Sequence, residues 1–512
     1  MKASFVVGAL AAIASAGVID IEARGGYGHG GGYDGGHADK CKKLPPVNSR
    51  KLQAAIHTDS LLKGAKKLMS FAESTPARNR QMGTRGHNLT TDFLIKELKK
   101  LNGYYKIQTQ TFWDPVMLNG TLSLEIDGEA TDGGLFDYSA SGDVSAPLVV
   151  VSNQGCEAGD YPAEVSGNIA LILRGSCEFG LKSALAGAAG AQGALIYNNI
   201  QGRLEGTLSL PGRPEGDYIP TIGLSDVQGQ NLVAAITSGA EVTASLHVET
   251  DIQNRSTINV LATSNCGSTD TVLMLGAHTD SVFRGPGIND DGSGTIGILE
   301  VAKALSKYKV NNAVRFGWWS GEEIGTLGSE YYVDSLSTAE QAKVRAYLNF
   351  DMIASPNYVH AIYDGDGSSF NSSGPTGSAE IEHFFERYFA SKGENYTATE
   401  FDGRSDYGAF LEVGIPSGGT FTGAEDIKTE EEAVQFGGIA GEPYDANYHQ
   451  AGDDVSNLAL DAFTLHAKGI AAAVAEYATS FKSLPPKDTA KRDMPMTRSE
   501  AARSVGDHAV KV

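Results

Sequence analysis

Three apolar runs, residues 271–277, 313–319 and 344–350, are each followed within a few residues by a histidine or an acid. Runs of this length, rich in Val, Leu, Ala and aromatic residues, predict strands buried on both faces. Stretches of helical period accompany them, at 295–308 after the first and at 460–484 near the end of the chain. Such alternation predicts an α/β fold, a mostly parallel mixed sheet with helices on both faces. In open sheets of that kind ligands bind in the crevice beyond the carboxyl ends of the strands. The residues expected there are His278, Glu322 with Glu323, and Asp351. Three separate stretches thus converge on one edge of one sheet.

Those stretches carry the donor groups of a two-metal hydrolase. Gly276-Ala277-His278-Thr279-Asp280 supplies an imidazole and a carboxylate, Gly321-Glu322-Glu323 two carboxylates, and Asn349-Phe350-Asp351 another. Imidazole and carboxylate together are zinc ligands. Asp290 sits in a glycine-rich entry to the 295–308 helix, Gly287-Ile288-Asn289-Asp290-Asp291-Gly292-Ser293-Gly294, where it can bridge two cations. Asp280, two residues past His278, is placed to orient that imidazole. Glu322 and Glu323 leave the backbone in different directions, so one can bind metal while the other acts as general base. His449, in Asn447-Tyr448-His449-Gln450, has to be delivered by a long loop that the sequence does not place. Singly, each piece has a plainer reading: a surface pair, a turn or calcium-like loop, a solvated helix start, a helix cap. Their order above three strand ends is what points to metal chemistry.

Organisation along the chain is uneven. Lys2, an apolar stretch over 5–13 and Ala14-Ser15-Ala16 predict a secretory signal over 1–16, followed by a Gly/His-rich linker or propeptide over 17–45. A first segment of the metal-binding domain is expected over 46–131, with a surface helix at 90–101, and its main segment over 250–484. Between them, 132–249 holds short apolar strands (148–151, 169–173, 194–197), an alanine-rich helix (181–192) and none of the acidic motifs. That composition predicts a β-rich, non-catalytic insert. Pro485-Pro486 is expected to end the last helix, leaving 485–512 as a disordered tail.

The four cysteines are too dispersed for a zinc site, so disulfides are expected: Cys156 with Cys177, leaving Cys41 with Cys266. Asn88, Asn119, Asn254, Asn371 and Asn395 begin glycosylation sequons. A net charge of -21 argues against nucleic acid or an anionic membrane as a partner. Past the signal, no run reaches the ~20 apolar residues of a membrane span. The expectation is a secreted, extracellular, glycosylated monomer.

At these motifs the chain resembles the secreted di-zinc leucine aminopeptidases of fungi. The carrying residues are Gly276 to Val282, Gly285 to Gly294, Trp318 to Glu323, Asn349 to Ile353 and Tyr448-His449, with looser likeness at Gly403 to Tyr407 and Thr422 to Glu425. The resemblance implies a zinc exopeptidase fold with a protease-associated domain over 132–249. It also implies two zinc ions, one on His278 and Asp351, the other on Glu323 and His449, with Asp290 bridging. Glu322 would be the base and Asp280 the orienting acid. Tyr448 would help polarise the scissile carbonyl, and Arg404 would line the substrate site. Some relatives carry a cysteine pair where this chain has Glu400 and Arg404, so that loop lacks their disulfide here.

The function expected is removal of N-terminal residues, Leu and other apolar ones preferred, from peptides by metal-activated water. The leucine preference rests on the resemblance alone. One alternative is a zinc carboxypeptidase or dipeptidase, which needs cationic residues to clamp a carboxylate. Another is a non-catalytic binding homologue, which has no need of a full ligand set.

Overall fold

In the computed structural model, which describes residues 41–486, the strands Ser268–His278, Asn312–Trp319 and Val344–Asn349 lie side by side and parallel. His278 stands opposite Trp319, and Gly276 opposite Asn349, so all three carboxyl ends share one edge. Ser417–Phe421 extends the parallel set, and Ala361–Tyr363 pairs antiparallel beyond it. On the other side Thr243–Ser264 runs antiparallel to Asn312–Trp319. The sheet is therefore mixed, with a parallel centre flanked by helices. The expected signal over 1–16, most of the Gly/His segment and nearly all of the tail lie outside the described residues.

Strand alternation builds the layers. Leu273, Leu275 and Ala277 bury against Ile296 and Leu299 of the Gly292–Leu305 helix and Ile470 and Val474 of the Leu460–Thr479 helix. Met274, one step out of phase, packs on the opposite face with Trp319, Tyr347 and Phe410. Gly276 lies on that second face. A Cβ there would stand 2.0 Å from the Tyr347 hydroxyl oxygen and 2.4 Å from Trp319 Nε1. Glycine is what allows Trp319 Nε1 to donate to the Tyr347 hydroxyl at 2.9 Å directly behind the site.

Element ends differ most from expectation at two helices. The first surface helix begins at Arg85, because the Thr84 hydroxyl caps it by accepting from the His87 amide. The last helix stops at Thr479, well before Pro485. Ser480 is extended, Phe481 turns to stack on Tyr477 and Leu484 is buried. Side-chain packing ends this helix, and the prolines only follow it.

In the insert Gly142–Val150, Ile169–Leu173, Gly193–Tyr197 and Thr221–Leu224 pair parallel around two hydrophobic clusters, and they continue the main sheet because Gly142–Val150 also pairs antiparallel with Thr243–Ser264. The insert is not attached by linkers. Tyr105–Ile126 and Thr243–Ser264 are 22 residues each and pair antiparallel from Tyr105 opposite Ser264 to Ile126 opposite Ala244. One register shift, between Met117 and Asn119, interrupts them. This ribbon belongs to the main sheet at one end and the insert at the other, and residue 249 falls inside its second strand. Disulfides join Cys156 to Cys177 within the insert and Cys41 to Cys266 outside it. No helix among the described residues is long and apolar enough to cross a membrane.

Candidate active site

The site is assembled from strand ends and two loops. His278 closes its strand, and its amide donates to Asp291 Oδ2 at 3.0 Å. Asp291 also caps the following helix, accepting from Gly294 at 2.9 Å and from Met352 at 3.1 Å. One carboxylate thus ties together the His278 strand end, the Asp290 loop and the backbone beside Asp351. Asp280 does the same across to the next strand: its Oδ1 accepts from the amides of Gly321 at 2.9 Å and Glu322 at 3.3 Å.

Asp290 stands at the centre. Its Oδ1 lies 3.1 Å from His278 Nε2, and its Oδ2 lies 3.2 Å from His449 Nε2. Asp351 Oδ1 is 3.5 Å from His278 Nε2, and Glu323 Oε2 is 3.0 Å from His449 Nε2. Two half-sites result, His278 with Asp351 and His449 with Glu323, and Asp290 offers one oxygen to each. Glu322 stands outside both pairs, its Oε2 at 3.8 Å from His278 Nε2.

His449 reaches the site because its loop is held from below. Asp453 accepts the amides of Asn289 at 2.8 Å and Asp290 at 3.0 Å. Asp445 accepts from the side chains of Asn289 and Asn457. His449 itself takes a left-handed backbone, φ 58°. Asp351 is held by its second oxygen, which accepts from the Ser405 hydroxyl at 2.6 Å.

The electrostatics call for added positive charge. Burial alone would lower both imidazoles. For His278 the carboxylates of Asp351 and Glu322 reverse this and hold it well above its ordinary value. For His449, Glu323 and Asp290 push it up to about 10. Burial raises Glu322 and Glu323, aided by neighbouring carboxylates. The carboxylates gathered around both imidazoles are a surplus of negative charge that bound cations would offset. Asp351 Oδ1 and Glu323 Oε1 are buried without a hydrogen-bond partner, while His278 Nδ1 faces Asp280 Oδ1 at 3.7 Å and leaves Nε2 to the Asp290 side. Unpartnered buried carboxylate oxygens of this kind fit metal ligation.

Several supporting residues were not singled out from the sequence. Asp291, directly before Gly292-Ser293-Gly294, has the position of an N-cap and could have been found. Asp453, Ser405 and Arg80 leave no local signal. Arg80 is fully buried and donates to the carbonyls of Pro286, Thr279 and Gly287, gripping the loop between His278 and Asp290 from behind.

On the open side, Arg404 Nη2 lies 3.2 Å from the Tyr448 hydroxyl and 2.9 Å from Glu425 Oε1. The Tyr448 ring stacks on His449 with centroids 3.8 Å apart. A cavity of about 90 Å³ opens beside Asp351, with Met352, Tyr363, Tyr407 and Phe421 on its walls and Glu400, Asp402 and Asp426 also lining it. The sequon residues Asn88, Asn119, Asn254, Asn371 and Asn395 are all exposed and away from this cavity.

Peptidase family M28 matches residues 259–474, and a PA domain matches residues 144–232. The chain is 51% identical over 447 residues to a probable leucine aminopeptidase 2 of Aspergillus fumigatus, covering 87% of this chain and 88% of that one. It is 48% identical over 472 residues to leucine aminopeptidase 2 of Arthroderma otae, covering 91% and 94%. Among solved structures, an aminopeptidase from Aneurinibacillus sp. strain AM-1 superimposes with TM-score 0.69 at 24% identity, over 87% of this chain and 98% of that one. BSAP, a zinc aminopeptidase from Bacillus subtilis, gives TM-score 0.61 at 24% identity, over 83% and 97%. These structures share the fold.

Proposed function

The chain belongs to peptidase family M28, and from that premise we propose that its site holds two zinc ions and removes N-terminal residues from peptides. The observation that carries this is Asp290, whose two oxygens face separate imidazoles at 3.1 and 3.2 Å. His278 and Asp351 would hold one ion, His449 and Glu323 the other, with Asp290 shared. When bound, such a pair supplies Lewis acidity toward water and toward a peptide carbonyl.

The rest of the chemistry falls to the chain. Glu322, within 3.8 Å of His278 and outside both ligand pairs, takes the proton from the attacking water. It then returns a proton to the leaving nitrogen. Asp280 keeps Glu322 in place through the two amides it accepts. Tyr448, stacked on His449, presents its phenol toward the carbonyl oxygen, and Arg404 holds that phenol. The acidic cavity lining suits a cationic α-amino group, and its walls of Met352, Tyr363, Tyr407 and Phe421 suit an apolar side chain. Leucine is the residue the relatives' names indicate. A carboxypeptidase would need a cation free to clamp a carboxylate, and Arg404 is engaged by Glu425.

The test uses leucine p-nitroanilide against an N-blocked peptide. Turnover of the first alone is expected, and turnover of only the blocked substrate would overturn the reading.

Secretion and glycosylation belong to the same proposal. Two disulfides fit an oxidising compartment. Asn254 pairs across the ribbon with Pro115, which puts it diagonal to Trp113, an indole 62% exposed on the same face. A glycan on Asn254 would cover it. Peptide mass spectrometry of secreted protein reads occupancy at each sequon, and an unmodified Asn254 would rule that glycan out.

A further inference from the structure

Two of the loops that build the site leave it toward the insert. Ile324 follows Glu323 directly. It packs against the insert's hydrophobic cluster, which includes Met117, Phe136 and Tyr138, and also against the small cluster of Met82, Phe112 and Val116. Arg284 lies four residues past Asp280. Its Nη2 is 3.2 Å from Asp137 Oδ1 and 3.3 Å from the Leu135 carbonyl, and its Nη1 is 3.7 Å from Glu205 Oε2, all three partners belonging to the insert. The anchors differ in chemistry, one apolar and one ionic. They fall on the two loops whose ends are already tied by Asp280 to Gly321 and Glu322.

The Ile324 anchor has a direct geometric effect. Glu322 is fixed by its amide on Asp280 and by its carbonyl, which accepts from Gly325 and Thr326. The turn so formed holds Glu323 and Ile324 between those two fixed points. With Ile324 packed against the insert's cluster, the adjacent Glu323 carboxylate meets His449 at 3.0 Å. Reacting groups lose about 10²-fold in rate for a displacement near 1 Å, so a seat one residue away from a ligand bears on turnover.

We propose that the insert is a positioning element of the active centre, with Ile324 and Arg284 as the positioning residues through which it acts. The proposal rests on the aminopeptidase reading. It makes the insert part of the machinery that sets kcat and metal retention, and not only a module beside it.

The test is made on the full chain with Ile324→Ala, Ile324→Leu, Arg284→Gln and the insert-side double variant Asp137→Asn/Glu205→Gln. Kinetics on leucine p-nitroanilide are read together with the rate of zinc loss to a chelator and the melting temperature. Ile324→Ala should lower kcat about tenfold or more with little change in KM and speed zinc loss, and Ile324→Leu should restore both. Arg284→Gln and the double variant should shift the same parameters to a similar extent, and combining them should add nothing further. Kcat and zinc loss within about twofold of the unmodified protein in Ile324→Ala and Arg284→Gln would overturn the proposal, as would a fall in melting temperature alone. If the unmodified protein turned over no aminopeptidase substrate, the functional reading would fail, while the zinc-loss comparison would still decide the positioning role.

Discussion

Asp280 Oδ1 accepts the backbone amide of Glu322 at 3.3 Å, and that of Gly321 at 2.9 Å, so a carboxylate two residues past His278 fixes the backbone of Glu322. Removing it leaves two buried amides without acceptors, at about 1–3 kcal/mol each. Asp280→Ala should therefore lower kcat/KM by at least about tenfold and reduce the melting temperature. Asp280→Asn keeps an acceptor oxygen and should recover most of the stability but not the full rate. Steady-state kinetics with thermal melts of both variants check this.

Glu322→Gln keeps the shape and burial of the side chain while removing its basicity. Both metals should stay bound and kcat should drop by about 10²–10⁴. Metal analysis of the purified variant separates this from a lost ligand, and near-normal turnover would refute the base assignment.

His449→Ala should behave differently. Glu323 and Asp290 would lose their shared imidazole, and zinc content should fall from two ions toward one. Competition with a graded chelator, followed by metal readdition, reads the change.

Arg80 is fully buried among Asp280, Asp453 and Asp291, which oppose the lowering of its pKa by burial, and it donates to three carbonyls of the loop leading to Asp290. Arg80→Met would strip a buried cation from its partners, a change worth about 3–5 kcal/mol. Urea unfolding should show that loss, with zinc content lowered in the protein that remains folded.

Outside the His278–Asp290–His449 cluster, His360 Nδ1 and His466 Nε2 share a hydrogen bond at 2.9 Å. Burial lowers His360 to about 4, with Lys428 acting in the same sense, and lowers His466 well below its ordinary value. Both groups bind fewer protons folded than unfolded. Their contribution is present above the unfolded histidine value, about 6.5, and is lost as pH falls toward 4. His360→Phe keeps the ring stack on Phe389 and Tyr358 and should flatten the decline in melting temperature between those two pH values.

The gathering of His278, Glu322, Glu323 and Asp351 at one sheet edge is legible in the sequence because each follows a buried strand closely. Local periodicity fixes where those strands end, and the sheet does the rest. Asp290 is legible through its glycine-rich surroundings. The seat of His449 is not, since it depends on Asp445 and Asp453, whose acceptor roles arise only when distant loops meet. Arg80 is silent for the same reason: nothing in Asn79-Arg80-Gln81 announces that carbonyls some 200 residues away will surround it. The end of the last helix was misplaced because the prolines are visible in sequence and the stacking of Phe481 on Tyr477 is not.

The paired 22-residue strands leave the insert without a hinge. A protease searching for a cleavable neck between the two halves would find a paired ladder broken only at Met117–Asn119, so limited digestion should not release them as separate folded fragments. Excision would likewise have to splice Ile126 to Thr243 through a short reverse turn, because a cut at residue 249 would sever a strand in mid-course.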